Sequence, residues 1–280
     1  MQWYGLNAHH PGQWRVHAVL RQVLKVQIDA DLPAERQGLR WILNPSDFPQ
    51  KDLFWLGESD RWDLLHARSF LRPGAVIFDV GANFGYYALM LAAALRGECE
   101  VHAFEPSAST HARLVKHIAL NGMECVHPHR LALSDVPGTA SMNSRQGNSG
   151  ASFLELGGGE VAVTTLDEFV EGRDLRRLDF MKIDVEGFEE RVLRGGERTL
   201  RRLRPVVLLE VQPTTLERTG SSVQRVVDLL SGAGYQLWRA QKSRLVPLEI
   251  VNRPGYLVNA FALPAGAETQ AHGVGVSARG

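Results

Sequence analysis

The run from Val76 to Gly85 constrains the fold of this 280-residue chain more than any other part of it. Its apolar start is typical of a central parallel strand that is covered on both faces. Asp79 ends this strand, and Gly81 and Gly85 then allow the backbone to bend sharply and to approach a ligand closely. Because free amides at a helix start attract anionic groups, the run predicts a strand–turn–helix unit that binds a cofactor.

The residues of this turn indicate which cofactor it binds. A dinucleotide-binding turn needs glycine where this chain has Asn83 and Tyr86, and the carboxylate of Asp79 would repel a pyrophosphate. S-adenosylmethionine carries no phosphate, and the ammonium group of its amino-acid part suits an acid beside helix-start amides. We therefore predict that this cofactor contacts Asp79, Gly81, Asn83 and Gly85.

A second acid follows at the end of the next predicted strand, Val101 to Glu105. An acidic residue roughly 20 residues after the turn is the position from which a side chain accepts hydrogen bonds from ribose hydroxyls. Two carboxylates at the ends of two neighbouring strands point to one nucleoside-binding crevice. Glu105 is therefore predicted to bind the ribose of the cofactor.

Bulk composition narrows the class of partner. The formal net charge is zero and no long basic run is present, which disfavours capture of nucleic acid or of an anionic membrane and favours a small-molecule partner. The sequence shows no apolar stretch of membrane-spanning length and no secretory leader, so we expect a cytoplasmic protein. Cys99 and Cys125 are expected to be buried reduced thiols, and the scattered histidines lack a metal-binding spacing, so no metal site is expected.

Alternating strand and helix patterns predict one α/β core over residues 71–263, preceded by an N-terminal cap at 1–70 and followed by a disordered tail at 264–280. The cap contains five of the six tryptophans, and a strand near 39–43 and a helix near 60–70 are expected within it. Its aromatic rings are candidates for packing or for contact with an acceptor: Trp41, Trp55 and Trp62. A segment rich in glycine and serine, 143–159, is predicted to be a loop or a mobile hairpin that could close over the site.

The reacting end of the site is predicted from the ends of the fourth and fifth core strands. Ligands of an open parallel sheet bind outside the carboxyl ends of its strands, where this chain has Asp184, Glu186 and Glu210. A carboxylate near an acceptor hydroxyl can take its proton, so these three are the candidate general bases. Glu189 and Glu190 are also explained by the favourable position of acids in the first turn of a helix.

Five segments of the chain carry a resemblance to a known family: Asp79–Gly85, Glu105-Pro106, Leu133–Asp135, Thr165–Asp167 and Lys182–Glu189. Together they resemble the FkbM-type methyltransferase family. The resemblance implies an α/β, Rossmann-like class I methyltransferase fold, with a mostly parallel seven-stranded sheet that has an antiparallel strand at its edge. It also implies S-adenosylmethionine-dependent O-methylation of a hydroxyl on a sugar, glycolipid or secondary metabolite. Ser134 and Asp135 are implied to bind the cofactor, Asp135 at the adenine amino group.

Three alternative functions remain at the level of the sequence. A nicotinamide-dependent oxidoreductase shares the fold but needs the glycines that this turn lacks. A nucleic-acid methyltransferase would favour a basic surface and a proline-rich run where this chain has residues 184–187. A non-catalytic cofactor-binding module is disfavoured by the three candidate bases. The identity of the acceptor and the oligomeric state are left open by the sequence.

Overall fold

The computed structural model of the protein describes residues 28–145, 148–249 and 255–267. Residues 1–27 of the predicted cap, which include Trp3 and Trp14, lie outside the described residues, as do residues 268–280 of the predicted tail.

The described part of the N-terminal segment forms a hairpin and two helices. Strands β1 (Leu32–Arg36) and β2 (Leu39–Leu43) pair antiparallel, and helices α1 (Phe48–Leu56) and α2 (Arg61–Ser69) follow. The strand and the helix predicted here are confirmed. Buried side chains of this segment share one hydrophobic core with the central sheet, so the segment packs directly against the core; the residues include Trp41, Leu43, Leu53, Ile77 and Phe180.

The rest of the described chain alternates strands and helices. The elements, in chain order, are β3 (Ala75–Val80), α3 (Tyr86–Ala94), β4 (Cys99–Phe104), α4 (Ala108–Asn121), β5 (Val126–His129), β6 (Ala132–Ser134), β7 (Gly138–Arg145), β8 (Asn148–Leu156), β9 (Val161–Thr165), α5 (Leu166–Gly172), β10 (Phe180–Ile183), α6 (Glu189–Arg194), α7 (Glu197–Leu203), β11 (Val206–Val211), α8 (Pro213–Arg218), α9 (Val223–Gly232), β12 (Tyr235–Gln241), β13 (Arg244–Pro247) and β14 (Val258–Pro264).

The central sheet has eight strands in the order β13-β12-β14-β11-β10-β3-β4-β5. The run from β5 to β11 is parallel, whereas β14 is antiparallel to both β11 and β12, and β13 is antiparallel to β12. This order, with helices packed on both faces, confirms the predicted Rossmann-like α/β fold. The predicted count of seven strands is too low by one, because the chain turns back after β12 and adds β13 at the edge.

The apolar pattern of the sequence predicts a third core strand near Val126 to Leu133, but the structure has two separate strands here. Its first half is β5 at the edge of the central sheet, where Pro128 is tolerated because an edge strand has one side free of ladder hydrogen bonds. Its second half, β6, joins a second sheet of four strands in the order β6-β9-β7-β8. The predicted continuous strand is therefore wrong.

The glycine-rich segment contributes the hairpin of this second sheet. Strands β7 and β8 pair antiparallel, which agrees with the hairpin alternative. Gly159 lies so close to this hairpin that a Cβ atom would sit 2.3 Å from the carbonyl oxygen of Ala140. A role of the segment in closing over the site stays a prediction.

Local signals in the sequence explain where several helices begin and end. Thr165 and Glu168 form the predicted capping box at the start of α5, in which each side chain bonds the backbone of the other. Gly122 ends α4 in the left-handed conformation, with φ of +60°. Ser222 caps α9 by accepting a hydrogen bond from Arg225 N.

Candidate functional site

The carboxyl ends of β3, β4 and β10 meet at one edge of the central sheet. Val80 pairs with Phe104 and with Ile183, so the residues after each strand lie side by side. Gly81 N donates to Phe104 O at 3.0 Å, and Asp184 N donates to Val80 O at 2.9 Å. The sheet therefore gathers the predicted turn, ribose acid and candidate base at the same place.

Gly81 allows the closest approach at this edge. Its φ is +81°, and a Cβ atom there would lie 1.9 Å from the carbonyl oxygen of Asp184. Gly85 also has a positive φ, of +94°, and begins α3. Only glycine fits the position of residue 81, because any side chain would displace either the turn or the end of β10.

Asp79 is buried beneath the start of α3, with 1% of its surface exposed. Its Oδ2 accepts a hydrogen bond from Ala88 N at 2.9 Å, whereas Oδ1 has no partner among the described residues. Burial raises the pKa of Asp79 to about 6, although Lys182 acts in the opposite direction. A buried carboxylate oxygen without a donor fits the ammonium group of an amino-acid ligand.

Glu105 directly shapes the turn Gly81–Gly85, which is the predicted cofactor turn. Its Oε2 accepts from Asn83 N and its Oε1 from Ser107 N, both at 2.9 Å. Burial raises the pKa of Glu105 to about 7. Each carboxylate oxygen has a second lone pair, so Glu105 retains acceptor capacity for ligand hydroxyls while it holds the left-handed residue Asn83 in place.

Ser134 and Asp135 lie at the end of β6, which belongs to the second sheet. Ser134 Oγ donates to Asp135 Oδ1 at 3.0 Å, and Arg191 Nη1 contacts both carboxylate oxygens of Asp135 at 3.1 and 3.3 Å. Although burial acts to raise it, these hydrogen bonds hold the pKa of Asp135 below its usual value. The carboxylate is thus ionised and fixed, and its contact with adenine stays a prediction.

The three candidate bases form one electrostatically coupled group. Lys182 Nζ donates to Asp184 Oδ2 at 2.9 Å, and the Asp184 side chain is 37% exposed. Burial, followed by the charges of Asp184, Glu186 and Glu189, raises the pKa of Glu210 to about 9. Glu210 therefore carries a proton at neutral pH, where it donates a hydrogen bond rather than accepting a proton.

The sequence pattern explained Glu189 by the favourable position of acids at a helix start, but in the structure Glu189 has a further structural role. Its Oε1 accepts from Val185 N at 3.1 Å and from Gly187 N at 3.2 Å, which closes the turn between β10 and α6. Its Oε2 is buried without a partner in the described part of the chain, and burial raises the pKa of Glu189 to about 7. Glu189 thereby fixes the backbone next to Asp184.

Glu189→Gln is expected to be more stable than the wild type at pH 8 and nearly equal to it in stability at about pH 4. A pKa of about 7 in the folded state, against about 4.5 when unfolded, means that the stability Glu189 contributes is present at low pH and is lost as the pH rises through this window. The amide removes this loss, on the order of 1–3 kcal/mol at pH 8. Urea unfolding at both pH values measures the difference.

The neighbouring Glu190 is the matched control with the opposite sign. Although burial acts to raise it, the hydrogen bond and the charge of Arg194 lower the pKa of Glu190, so Glu190→Gln should lose stability at pH 8. If both amide variants responded to pH in the same way, the explanation by individual carboxyl groups would be wrong.

Four polar residues that sequence reasoning missed complete the site. Asn259 Nδ2 on β14 donates to Asp63 Oδ2 on α2 at 2.8 Å, and burial raises the pKa of Asp63 to about 6. Lys182 Nζ lies 4.8 Å from the ring centroid of Tyr87, whose buried hydroxyl has no partner among the described residues. Of these four residues, Lys182 alone has a local signal in the sequence, because a lysine is unusual within an apolar strand such as 180–183.

Two of the three cap tryptophans are core residues. Trp41 Nε1 donates to Arg36 O at 3.1 Å, and its ring meets Phe84 of the cofactor turn at 5.8 Å. Trp55 is buried as well, and its Nε1 donates to Pro45 O at 3.2 Å. Trp62 is 37% exposed. Trp41 and Trp55 therefore pack in the core, which agrees with the first of the two predicted roles. Trp41 also packs against the turn Gly81–Gly85 through Phe84.

A cavity of about 490 Å³ lies between the first hairpin, α2 and α3. It is lined by none of the predicted site residues; its lining includes Arg36, Arg61, Leu64, Arg68, Tyr86 and Met90. Since Tyr86 lines this cavity and Tyr87 faces Lys182, the first turn of α3 separates the cavity from the acids.

The described residues also bear on the expectations for metal ligands, membrane-spanning helices and cysteines. Within residues 28–145, 148–249 and 255–267, no group of three or more potential ligand side chains is placed to hold a metal ion. No helix in these ranges combines the length and apolar character needed to cross a bilayer. Cys99 and Cys125 are free and partly buried, with their sulfur atoms 3.9 Å apart.

Sequence comparison gives relatives of known name. The chain is 28% identical over 229 residues to the 31-O-demethyl-FK506 methyltransferase FkbM of Streptomyces tacrolimicus, covering 69% of this chain and 84% of that protein. It is 29% identical over 135 residues to the hexuronic acid methyltransferase AglP of Haloferax volcanii, covering 48% of this chain and 54% of that protein. It is also 26% identical over 277 residues to the AMB antimetabolite synthetase AmbE of Pseudomonas aeruginosa, covering 82% of this chain but only 13% of that protein.

Solved structures give weaker likenesses. The FkbM methyltransferase of Methylobacillus flagellatus has a TM-score of 0.46 at 15% identity, covering 76% of this chain and 52% of that one. An rRNA methylase of Streptococcus thermophilus has a TM-score of 0.42 at 13% identity, covering 72% and 94%. At these values they say nothing about the acceptor, and the exclusion of nucleic acid stays a prediction.

A family model decides the assignment. The model described as the methyltransferase FkbM domain matches residues 79–237, which is more than half of the chain and extends from the cofactor turn through the ends of β10 and β11. The chain therefore belongs to the FkbM methyltransferase family.

Proposed function

We propose that the protein transfers a methyl group from S-adenosylmethionine to a hydroxyl of a sugar, glycolipid or secondary metabolite. One observation carries the proposal: an oxygen of Asp79 that is buried and has no partner among the described residues lies beneath a glycine turn, and Glu105 directly follows the neighbouring strand β4. The names of the relatives support it, since one is a 31-O-demethyl-FK506 methyltransferase and another a hexuronic acid methyltransferase.

The site fits the cofactor by its donors and acceptors. Asp79 would accept the ammonium group, Glu105 the ribose hydroxyls, and Asp135 the adenine amino group. Gly81 has no side chain that would block the close approach of the cofactor to its backbone. The packing of Gly81 against the carbonyl oxygen of Asp184, directly after β10, also requires glycine at this position. When bound, the cofactor supplies an activated methyl group, so the protein must chiefly align the acceptor oxygen and exclude water.

The acceptor proton is expected to pass to a carboxylate at the end of β10. Asp184 accepts a hydrogen bond from the ammonium of Lys182 and is partly exposed, which suits a general base. Glu186 follows in the same turn, held in the left-handed conformation with φ of +52°. Glu210, protonated at neutral pH, would donate a hydrogen bond to the acceptor.

Calorimetric titration tests the cofactor assignment. S-adenosylmethionine and S-adenosylhomocysteine should both bind, whereas NADH should not. Binding of NADH with no heat from either nucleoside would establish the oxidoreductase alternative instead. Binding without any methyl transfer would favour the non-catalytic module.

The acceptor class needs a second experiment. Labelled methyl groups should pass from the cofactor to metabolites or glycolipids in an extract of source cells that lack the enzyme, and mass spectrometry would identify the product. Treating the extract with nuclease is the control. Loss of the labelled product after this treatment would identify nucleic acid as the acceptor and would contradict the proposal.

A further inference from the structure

Lys182 is buried on a central strand, where a lysine needs an explanation. Phe180 and Lys182 point to the face of the sheet covered by α3, and only 9% of Lys182 is exposed. The register places Lys182 beside Asp79 of β3 on one side and Leu208 of β11 on the other. A buried ammonium is costly unless acids surround it.

Acidic groups face Lys182 from every element packed around it. Its own strand end supplies Asp184 at 2.9 Å, and the neighbouring strands supply Asp79 and Glu210. The start of α2 adds two further acids, and α3 adds a phenol; these residues are Asp60, Asp63 and Tyr87. Lys182 is the only buried lysine among the described residues, so it is the cation shared by these groups.

We propose that Lys182 is a positioning residue for the methyl donor: its buried ammonium lies on the strand beside Asp79 and supplies the positive charge that balances the Asp79 carboxylate, which accepts the ammonium of the donor's amino-acid part. It also fixes Asp184 at the rim, where the acceptor is expected. This inference rests on the proposed function, since it assumes that Asp79 meets the amino-acid part of the cofactor.

The balance of charges supports this role. Burial raises the pKa of Asp79 to about 6, and Lys182 is the strongest influence that lowers it, ahead of the Ala88 amide; Asp184 acts to raise it. Loss of the Lys182 charge would raise the pKa of Asp79 further and so weaken its attraction for an ammonium near neutral pH. Although burial acts to lower it, Asp184 and Asp79 raise the pKa of Lys182, so the lysine itself stays charged.

The test is the affinity for S-adenosylhomocysteine as a function of pH, measured by calorimetry between about pH 5 and about pH 8. In the wild type, affinity should fall as the pH drops below about 6 and Asp79 is protonated, and protonation of Glu105, whose pKa is about 7, adds its own change at the ribose. Lys182→Met should shift the Asp79 midpoint upward by at least about one unit, which weakens binding about twofold at pH 7 and about tenfold at pH 5. Lys182→Arg, which keeps the charge, should restore a midpoint near that of the wild type.

Two controls separate this role from a structural one. 5′-Methylthioadenosine lacks the amino-acid part but keeps the ribose, so the pH dependence of its affinity reports Glu105, and Lys182→Met should change neither this dependence nor the affinity. Asp79→Asn cannot be protonated, so in that background Lys182→Met should no longer change the affinity for S-adenosylhomocysteine. Circular dichroism would verify folding, and Lys182→Gln replaces Lys182→Met if the latter does not fold.

The possible outcomes are distinct. The same pH profile in the wild type and in Lys182→Met, or an equal loss of affinity for 5′-methylthioadenosine, would overturn the role of Lys182 and leave the proposed function intact. If the wild type bound neither nucleoside, the proposed function would fail, and this inference would fail with it.

Discussion

Gly81→Ala should abolish tight cofactor binding and destabilise the protein. The new methyl group would lie 1.9 Å from the carbonyl oxygen of Asp184, and neither atom belongs to a flexible side chain, so the turn and the end of β10 must move apart. Together with the cost of a positive φ, the expected loss is about 2–5 kcal/mol of unfolding free energy. A displacement of this size should also weaken S-adenosylhomocysteine binding about 100-fold. Urea unfolding and calorimetry measure the two effects.

Gly74→Ala is the matched control. Gly74 has almost the same φ, +79°, but a Cβ atom there meets nothing within 4 Å. Its substitution should therefore cost only the backbone strain, about 1–2 kcal/mol, and should leave the affinity unchanged. Equal losses in the two variants would show that Gly81 is needed for its conformation and not for the close approach of the strands.

Asp184→Asn, Glu186→Gln and Glu210→Gln should separate proton transfer from cofactor binding. We expect turnover to fall about 10²–10⁴-fold in the variant that removes the general base, while its affinity for S-adenosylhomocysteine stays close to that of the wild type. Asp184→Asn is expected to show the largest loss, because Asp184 is paired with Lys182 and partly exposed, whereas burial raises the pKa of Glu210 to about 9. Labelled methyl transfer to the acceptor-containing extract measures turnover.

Asp174→Asn serves as the control for this series, because its side chain is 78% exposed and pairs only with Arg176 at the surface. It should leave both turnover and affinity unchanged. If all three site variants kept full turnover, no carboxylate of this group would act as the base, and alignment of the acceptor alone would have to explain catalysis.

The parts of the site predicted from sequence share one physical origin. Parallel strands bring their carboxyl ends to one edge, so an acid or a glycine at each predicted strand end can be placed without knowing how the rest of the chain folds. This applies to Gly81, Glu105 and Asp184, whose backbones meet at that edge. Their roles toward ligands remain predictions.

The parts that could not be predicted depend on long-range packing. Asp63 and Asn259 are 196 positions apart, and no local pattern relates them. The protonation of Glu210 results from burial together with three other carboxyl groups, which is a property of the assembled site. The division of residues 126–133 between two sheets likewise depends on which strands are available for pairing, not on the propensity of the segment.

The hydrogen bond between Asp63 and Asn259 bears on the design of chimaeric enzymes. An exchange of the first seventy residues between family members, intended to transplant a new substrate preference, would remove Asp63 while retaining Asn259 from the recipient. The graft would then break the contact that holds α2 against β14. Successful chimaeras of this protein should therefore carry the leading segment and the last strand of the sheet together, as one exchanged unit.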